Sequence, residues 1–179
     1  TCCTALLAEV VPFGGRYPTM GTNPHSWSFP TGEAVGFPIL VDWATSAISM
    51  GKLQQIRREG KPLTPDTALD HKSQPTENYD EVFALLPFGD LKGYGLGLID
   101  ELIAGFIGGG LPTTRGKFDS EDDLNHSPCL FFQAIHPDAL FGNQLESMGV
   151  KNNIQLILED ILGHGNSSCL LPGQLEHQS

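Results

Sequence analysis

Residues 93–107 read Gly-Tyr-Gly-Leu-Gly-Leu-Ile-Asp-Glu-Leu-Ile-Ala-Gly-Phe-Ile, apolar nearly all round and broken only by Asp100 and Glu101. A helix of that kind is normally buried. The rest of the chain must therefore supply layers that cover it. Gly108-Gly109-Gly110 ends the helix, because glycine is the natural residue beyond a helix C-terminus.

Strand signals lie on either side. Residues 1–20 begin strand-like and turn at Pro12-Phe13-Gly14-Gly15 and Pro18. Gly21-Thr22-Asn23-Pro24 is another turn, and residues 26–29 alternate polar and aromatic. Residues 37–41 form an apolar run of strand length, residues 82–86 are apolar, and residues 129–135 are a third strand candidate. Ala44, Ala47, Ile48 and Gly51 recur at helical spacing, so a helix is expected over residues 45–59, closed by Gly60. Val150, Ile154, Ile157, Leu158, Ile161 and Leu162 mark an amphipathic helix closed by Gly163. Residues 61–80, with three prolines and almost no periodicity, read as a surface excursion. The alternation of strands and helices makes this an α/β or α+β chain.

Ten Lys plus Arg stand against 21 Asp plus Glu, a net charge of −11. That balance excludes the basic footprint of a nucleic-acid binder and suits an anionic membrane surface poorly. No apolar run reaches 18 residues, and no signal-peptide pattern is visible. Cys2 and Cys3 are adjacent while Cys129 and Cys169 are isolated, so no zinc spacing exists. The thiols read as reduced cysteines of a cytoplasmic protein.

Two places could carry chemistry. At Ile39-Leu40-Val41-Asp42-Trp43-Ala44-Thr45-Ser46 a carboxylate and two hydroxyls stand where a strand gives way to the expected helix. Asp42, Thr45 or Ser46 could cap that helix. Alternatively, the free N–H groups could hold phosphate while Asp42 accepts from ribose hydroxyls. At Leu91-Lys92-Gly93-Tyr94-Gly95-Leu96-Gly97, alternating glycines permit close approach and Lys92 offers a point charge to phosphate or a polarised carbonyl. Close helix packing with a solvated lysine explains the same residues. Neither a Walker A loop nor a Gly-x-Gly-x-x-Gly after a strand is present. None of the six histidines, His25, His71, His126, His136, His164 and His177, makes a metal-binding pair. The acidic cluster Asp119, Glu121, Asp122 and Asp123 reads as a solvated loop face.

Several stretches together resemble one family. They are Val11-Pro12-Phe13-Gly14-Gly15, Gly21-Thr22-Asn23-Pro24, Val41-Asp42-Trp43-Ala44-Thr45-Ser46 with Gly51-Lys52, Leu86-Pro87-Phe88-Gly89-Asp90-Leu91-Lys92-Gly93-Tyr94-Gly95-Leu96, and Leu171-Pro172-Gly173. In that order and approximate spacing they look like the malate/L-lactate dehydrogenases unrelated to the Rossmann-type enzymes, with ureidoglycolate, diketogulonate and sulfolactate dehydrogenases among them. The resemblance implies a single NAD(P)-binding domain over residues 1–179, with a mixed, largely antiparallel sheet flanked by helices and not a Rossmann fold. It implies homodimers, a small 2-hydroxy or 2-oxo acid substrate, and NAD or NADP as cofactor. Carried over, the cofactor contacts fall on Leu40, Val41, Asp42, Trp43 and Ala44, on Leu91 and Lys92, and on Gly173, Gln174 and Leu175.

The chain also departs from the family. The family's catalytic histidine, on an N-terminal helix, has no counterpart here, and no catalytic or metal-binding residue is assigned. Gln174 replaces the acid usual after Pro-Gly, and Trp43 replaces a usual Met. The expectation is therefore a cofactor-binding portion of a longer dehydrogenase, with Lys52 and Lys92 as the conspicuous anion holders. The alternative is a non-catalytic cofactor-binding or dimerisation module lacking the proton donor.

Overall fold

A computed structural model of the chain describes residues 2–4, 7–115, 128–136, 139, 142 and 149–179. The acidic cluster at 119–123 and His126 lie outside the described residues. The chain divides into two compact units, residues 1–25 with 42–132, and residues 26–41 with 133–179.

In chain order the strands and helices are β1 (Cys2–Cys3), β2 (His25–Phe29), β3 (Ile39–Trp43), α1 (Met50–Glu59), β4 (Ala68–Leu69), β5 (Ala84–Leu85), α2 (Leu91–Gly108), β6 (Leu130–Phe131), α3 (Val150–Leu162) and α4 (Gln174–Gln178). The expected mixture of helices with antiparallel pairing is what the chain forms. In the first unit β1 pairs antiparallel with β2 at Cys2 and His25. On its other edge it pairs antiparallel with β6, Cys2 opposite Phe131 and Cys3 opposite Leu130. The small strands β4 and β5 form a second antiparallel pair.

Helix α1 starts at Met50, five residues later than its periodicity predicts. Ser49 is the cap, its hydroxyl accepting from the Lys52 N–H at 3.2 Å. Gly60 closes the helix at φ 63, in the left-handed region that glycine enters freely. Leu53 and Ile56 of α1 face a core with Val10, Met20, Leu63 and Leu85. Residues 61–80 are more ordered than their polarity suggests. They contain β4, Leu63 is 2 % exposed, and the Asp70 carboxylate accepts from the N–H groups of Lys72 (2.8 Å) and Gln74 (2.9 Å). Those bonds hold its carboxyl below the ordinary aspartate value, the Gln74 N–H most strongly.

Helix α2 spans the expected residues but is not buried all round. Only Gly93, Gly97, Asp100 and Ala104 are buried, a narrow stripe at helical spacing. Phe106 (88 % exposed), Leu102 and Ile107 face outward. The reason is steric. Small residues on one side let α2 sink against β1, β6 and the Thr45 loop, while no described residue covers the large apolar side chains opposite. No helix among the described residues is long and apolar enough to cross a membrane.

In the second unit residues 26–29 of β2 run beside residues 39–41 of β3. Helix α3 has the bounds its periodicity predicts. Helix α4, which no sequence signal marked, is a short piece after Gly173.

Candidate functional site

Five residues of the 40–46 stretch belong to the first unit. Asp42 and Trp43 are exposed at the end of β3, and Ala44 is half-buried. The next two residues are fully committed to the scaffold. Thr45 N donates to Thr22 O at 2.8 Å, and its hydroxyl donates to the same oxygen at 3.1 Å. The Ser46 hydroxyl donates to Ile48 O at 2.7 Å. Neither hydroxyl accepts from a helix N–H, and Asp42 lies eight residues ahead of Met50. The capping reading of Asp42, Thr45 and Ser46 is thus replaced by Ser49. The alternative, phosphate on free N–H groups of a helix starting there, loses its helix as well.

The second motif lands on the first. Phe88 N donates to Thr45 O (3.1 Å), Ala47 N to Leu86 O (2.7 Å) and Gly93 N to Phe88 O (2.8 Å). The Trp43 ring meets Phe88 edge-on at 6.2 Å. Gly93 is why this stitching is possible. A Cβ there would run into Thr45 O, Phe88 N at 2.5 Å and Phe88 O at 2.6 Å. The structure therefore draws Asp42-Trp43-Ala44 and the start of α2 onto one scaffold through Thr45 and Phe88.

Leu91 and Lys92 are exposed on the first turn of α2. Asp90, the residue in the cap position, has φ 56 and makes no side-chain capping bond. None of the described residues accepts from the Lys92 ammonium group. Lys52 differs: its ammonium donates to Gln55 Oε1 at 3.1 Å along α1. The first-turn N–H groups are already engaged, Lys92 N with Gly89 O (3.1 Å), Gly93 N with Phe88 O (2.8 Å) and Tyr94 N with Asp90 O (3.2 Å), so the unengaged Lys92 ammonium group is the donor here that suits a phosphate-bearing molecule. The residues present fit the phosphate of such a molecule.

The second unit carries the remaining predicted residues. Gly173 has φ 90 and lies so close to β3 that a Cβ would stand 3.0 Å from Pro38 O and 3.1 Å from Leu40 N. Leu40 N donates to Pro172 O at 3.2 Å. The Gln174 side chain turns back, its Oε1 accepting from Leu171 N at 3.0 Å. That bond gives Gln174 a local structural task. Leu175 is 60 % exposed, and Val41 is half-buried.

One group escaped the sequence reading. His25 Nδ1 and Asp100 Oδ1 share a 2.8 Å hydrogen bond, and Asp100 is fully buried. Its second oxygen has no hydrogen-bond partner among the described residues. Burial pushes the Asp100 carboxyl above the ordinary aspartate value despite the lowering by His25. Burial, aided by the Asp100 charge, also raises the Cys2 thiol. The signal was available: Asp100, with Glu101, interrupts an apolar helix, and an acid buried in such a place needs a partner. Nearby, the Asn23 amide donates to Gly97 O (3.1 Å) and Glu101 Oε1 (3.0 Å), and the Thr113 hydroxyl donates to Glu101 Oε1 (2.6 Å). Among the described residues no three His, Cys, Asp or Glu side chains stand together as metal ligands.

The sequence pattern of the malate/L-lactate dehydrogenase family matches residues 1–179. A Δ1-pyrroline-2-carboxylate reductase of Burkholderia multivorans is 34 % identical over 142 residues, 77 % of this chain and 41 % of the relative. A malate dehydrogenase of Pyrococcus abyssi is 38 % identical over 137 residues, 71 % of this chain and 36 % of the relative. The crystal structure of a Δ1-piperideine-2-carboxylate reductase from Pseudomonas syringae superposes with a TM-score of 0.79 at 31 % identity, covering 99 % of this chain and 52 % of that one. The chain thus spans about half the length of such proteins or less.

Proposed function

The chain belongs to the malate/L-lactate dehydrogenase family, and from that premise we propose that it is the cofactor-binding part of a nicotinamide-dependent oxidoreductase of 2-hydroxy and 2-oxo acids. The observation that carries this reading is the stitched pair of segments in the first unit, which ends in the unengaged ammonium group of Lys92. In this reading Lys92 holds cofactor phosphate by charge, and Asp42 accepts from ribose hydroxyls. Leu91 and Trp43 offer exposed apolar surface, and Ala44 leaves room beside them. Leu40, Val41, Gly173, Gln174 and Leu175 form a second set of cofactor contacts. When bound, the cofactor supplies or accepts a hydride at the C2 carbon of the acid. The antiparallel pairings of β1 with β2 and β6 support a cofactor domain of non-Rossmann type.

The partners follow the same reading: a small acid substrate, a homodimer, and neither nucleic acid nor membrane. The apolar outer face of α2 offers a surface for pairing. Four free cysteines support a reducing, cytoplasmic setting.

The test is Lys92→Ala. Binding of NADH and NADPH, followed by the fluorescence of the reduced nicotinamide, is expected to weaken by about tenfold or more. Unchanged affinity removes Lys92 from the site, and titrating both cofactors gives the preference. A second reading is a non-catalytic cofactor-binding or dimerisation module. It is favoured by one observation: His25, beside the Gly-Thr-Asn-Pro turn, is only 9 % exposed, which leaves little of its ring open to a substrate. Turnover of malate, lactate or sulfolactate by this chain alone decides against the module.

A further inference from the structure

The first unit also has a cleft of about 230 Å³. Met50 and Leu53 of α1 line it together with Tyr79, Val82 and Phe83. Glu9 and Arg57 also line it.

Glu9 is half-buried, and none of the described residues gives its carboxylate a hydrogen bond or an ion pair. A carboxylate that gives up water without gaining a donor is costly, and the cost falls when a donor arrives. Burial alone pushes the Glu9 carboxyl above the ordinary glutamate value. The cation in the same cleft does not relieve it. Arg57 Nη2 is committed to Asp80 Oδ1 at 3.1 Å. The cleft therefore combines an unmet acceptor with apolar walls, in a chain of net charge −11. A cation with an apolar body answers both features, whereas an anion with such a body meets the walls but is repelled by the carboxylate. The volume suits roughly half a dozen non-hydrogen atoms.

We propose that this cleft binds a small primary amine, its ammonium group donating to the Glu9 carboxylate and its apolar chain lying against Met50, Leu53 and Val82. The site is independent of the cofactor reading and needs no bound dinucleotide.

The test compares three probes with the same five-carbon body on the whole, unaltered chain, using amide shifts of the 15N-labelled protein. n-Pentylamine is expected to give saturable shifts at Glu9, Leu53, Tyr79 and Val82. Its affinity should exceed that of n-pentanol by about tenfold or more, the usual advantage of a charge-assisted bond, and pentanoate should give none. Glu9→Gln is expected to reduce pentylamine to the level of pentanol. Equal binding of pentylamine and pentanol overturns the proposal, and that comparison needs no variant. So do shifts scattered over the acidic surface without saturation, or a Glu9→Gln chain that keeps the preference.

Discussion

Gly93→Ala perturbs the scaffold at one atom. The added Cβ would meet three backbone atoms, Thr45 O, Phe88 N and Phe88 O, the last two at 2.5 and 2.6 Å. Backbone atoms cannot swing aside as a side-chain tip does, so the start of α2 and the 45–88 contact must separate by several tenths of an ångström or more. Two hydrogen bonds cross that contact, Phe88 N to Thr45 O at 3.1 Å and Gly93 N to Phe88 O at 2.8 Å. Losing both removes about 2 kcal/mol, and overpacking adds about 1–3 kcal/mol. The better helix propensity of alanine returns at most about 1 kcal/mol. The net expectation is a loss of about 2–4 kcal/mol. Gly95 is the control. It lies two residues along the same helix, and a Cβ there meets nothing within 4 Å. Gly95→Ala is expected to stabilise by roughly 0.5–1 kcal/mol. Urea unfolding, followed by far-ultraviolet circular dichroism, reads both midpoints. A Gly93→Ala chain within about 0.5 kcal/mol of its parent refutes the close approach, and the stitching with it.

Three further outcomes are expected. Asp100→Ala takes the 2.8 Å bond from buried His25 and should cost about 2–3 kcal/mol; in a double-mutant cycle with His25→Ala, additive effects would show that the pair is not coupled. Glu9 has a raised folded value, so its ionisation subtracts stability as pH climbs from the ordinary glutamate range, about 4.3, through that raised value. Glu9→Gln should therefore be more stable than its parent at neutral pH, with the gap closing at acid pH, and an equal gap at both pH values counts against the reasoning. Phe106→Ser, at a position 88 % exposed, should change stability by no more than about 0.5 kcal/mol while lowering self-association in sedimentation; a much larger loss would mean that this face packs within the chain.

What could be read from the residues alone depended on whether the signal was local. A long run apolar nearly all round located α2, and periodicity located α3, because both signals lie along the local chain. The start of α1 was misplaced because Ala44, Ala47 and Ile48 mimic helical spacing inside a loop. Only the hydrogen-bond partners distinguish Ser46, which donates to a carbonyl, from Ser49, which accepts from an amide. The full burial expected of α2 failed for a related reason. An apolar helix reveals that it needs cover, not which side receives it, and here glycine and alanine rather than the large residues mark the buried side. The His25–Asp100 pair joins positions 75 residues apart, which periodicity cannot link. The motifs at 42–46 and 86–93 were legible as motifs, but their meeting through Thr45 and Phe88 was not.

The division of the chain into interleaved units has a kinetic consequence. The second unit draws on residues 26–41 and 133–179, separated by the long stretch that belongs to the first. Closing a loop of roughly 90 unstructured residues costs about 4 kcal/mol. Folding of residues 42–132 removes most of that cost, because the intervening chain is then already compact. The second unit should therefore gain protection from hydrogen exchange after the first, and no single proteolytic cut can release it whole.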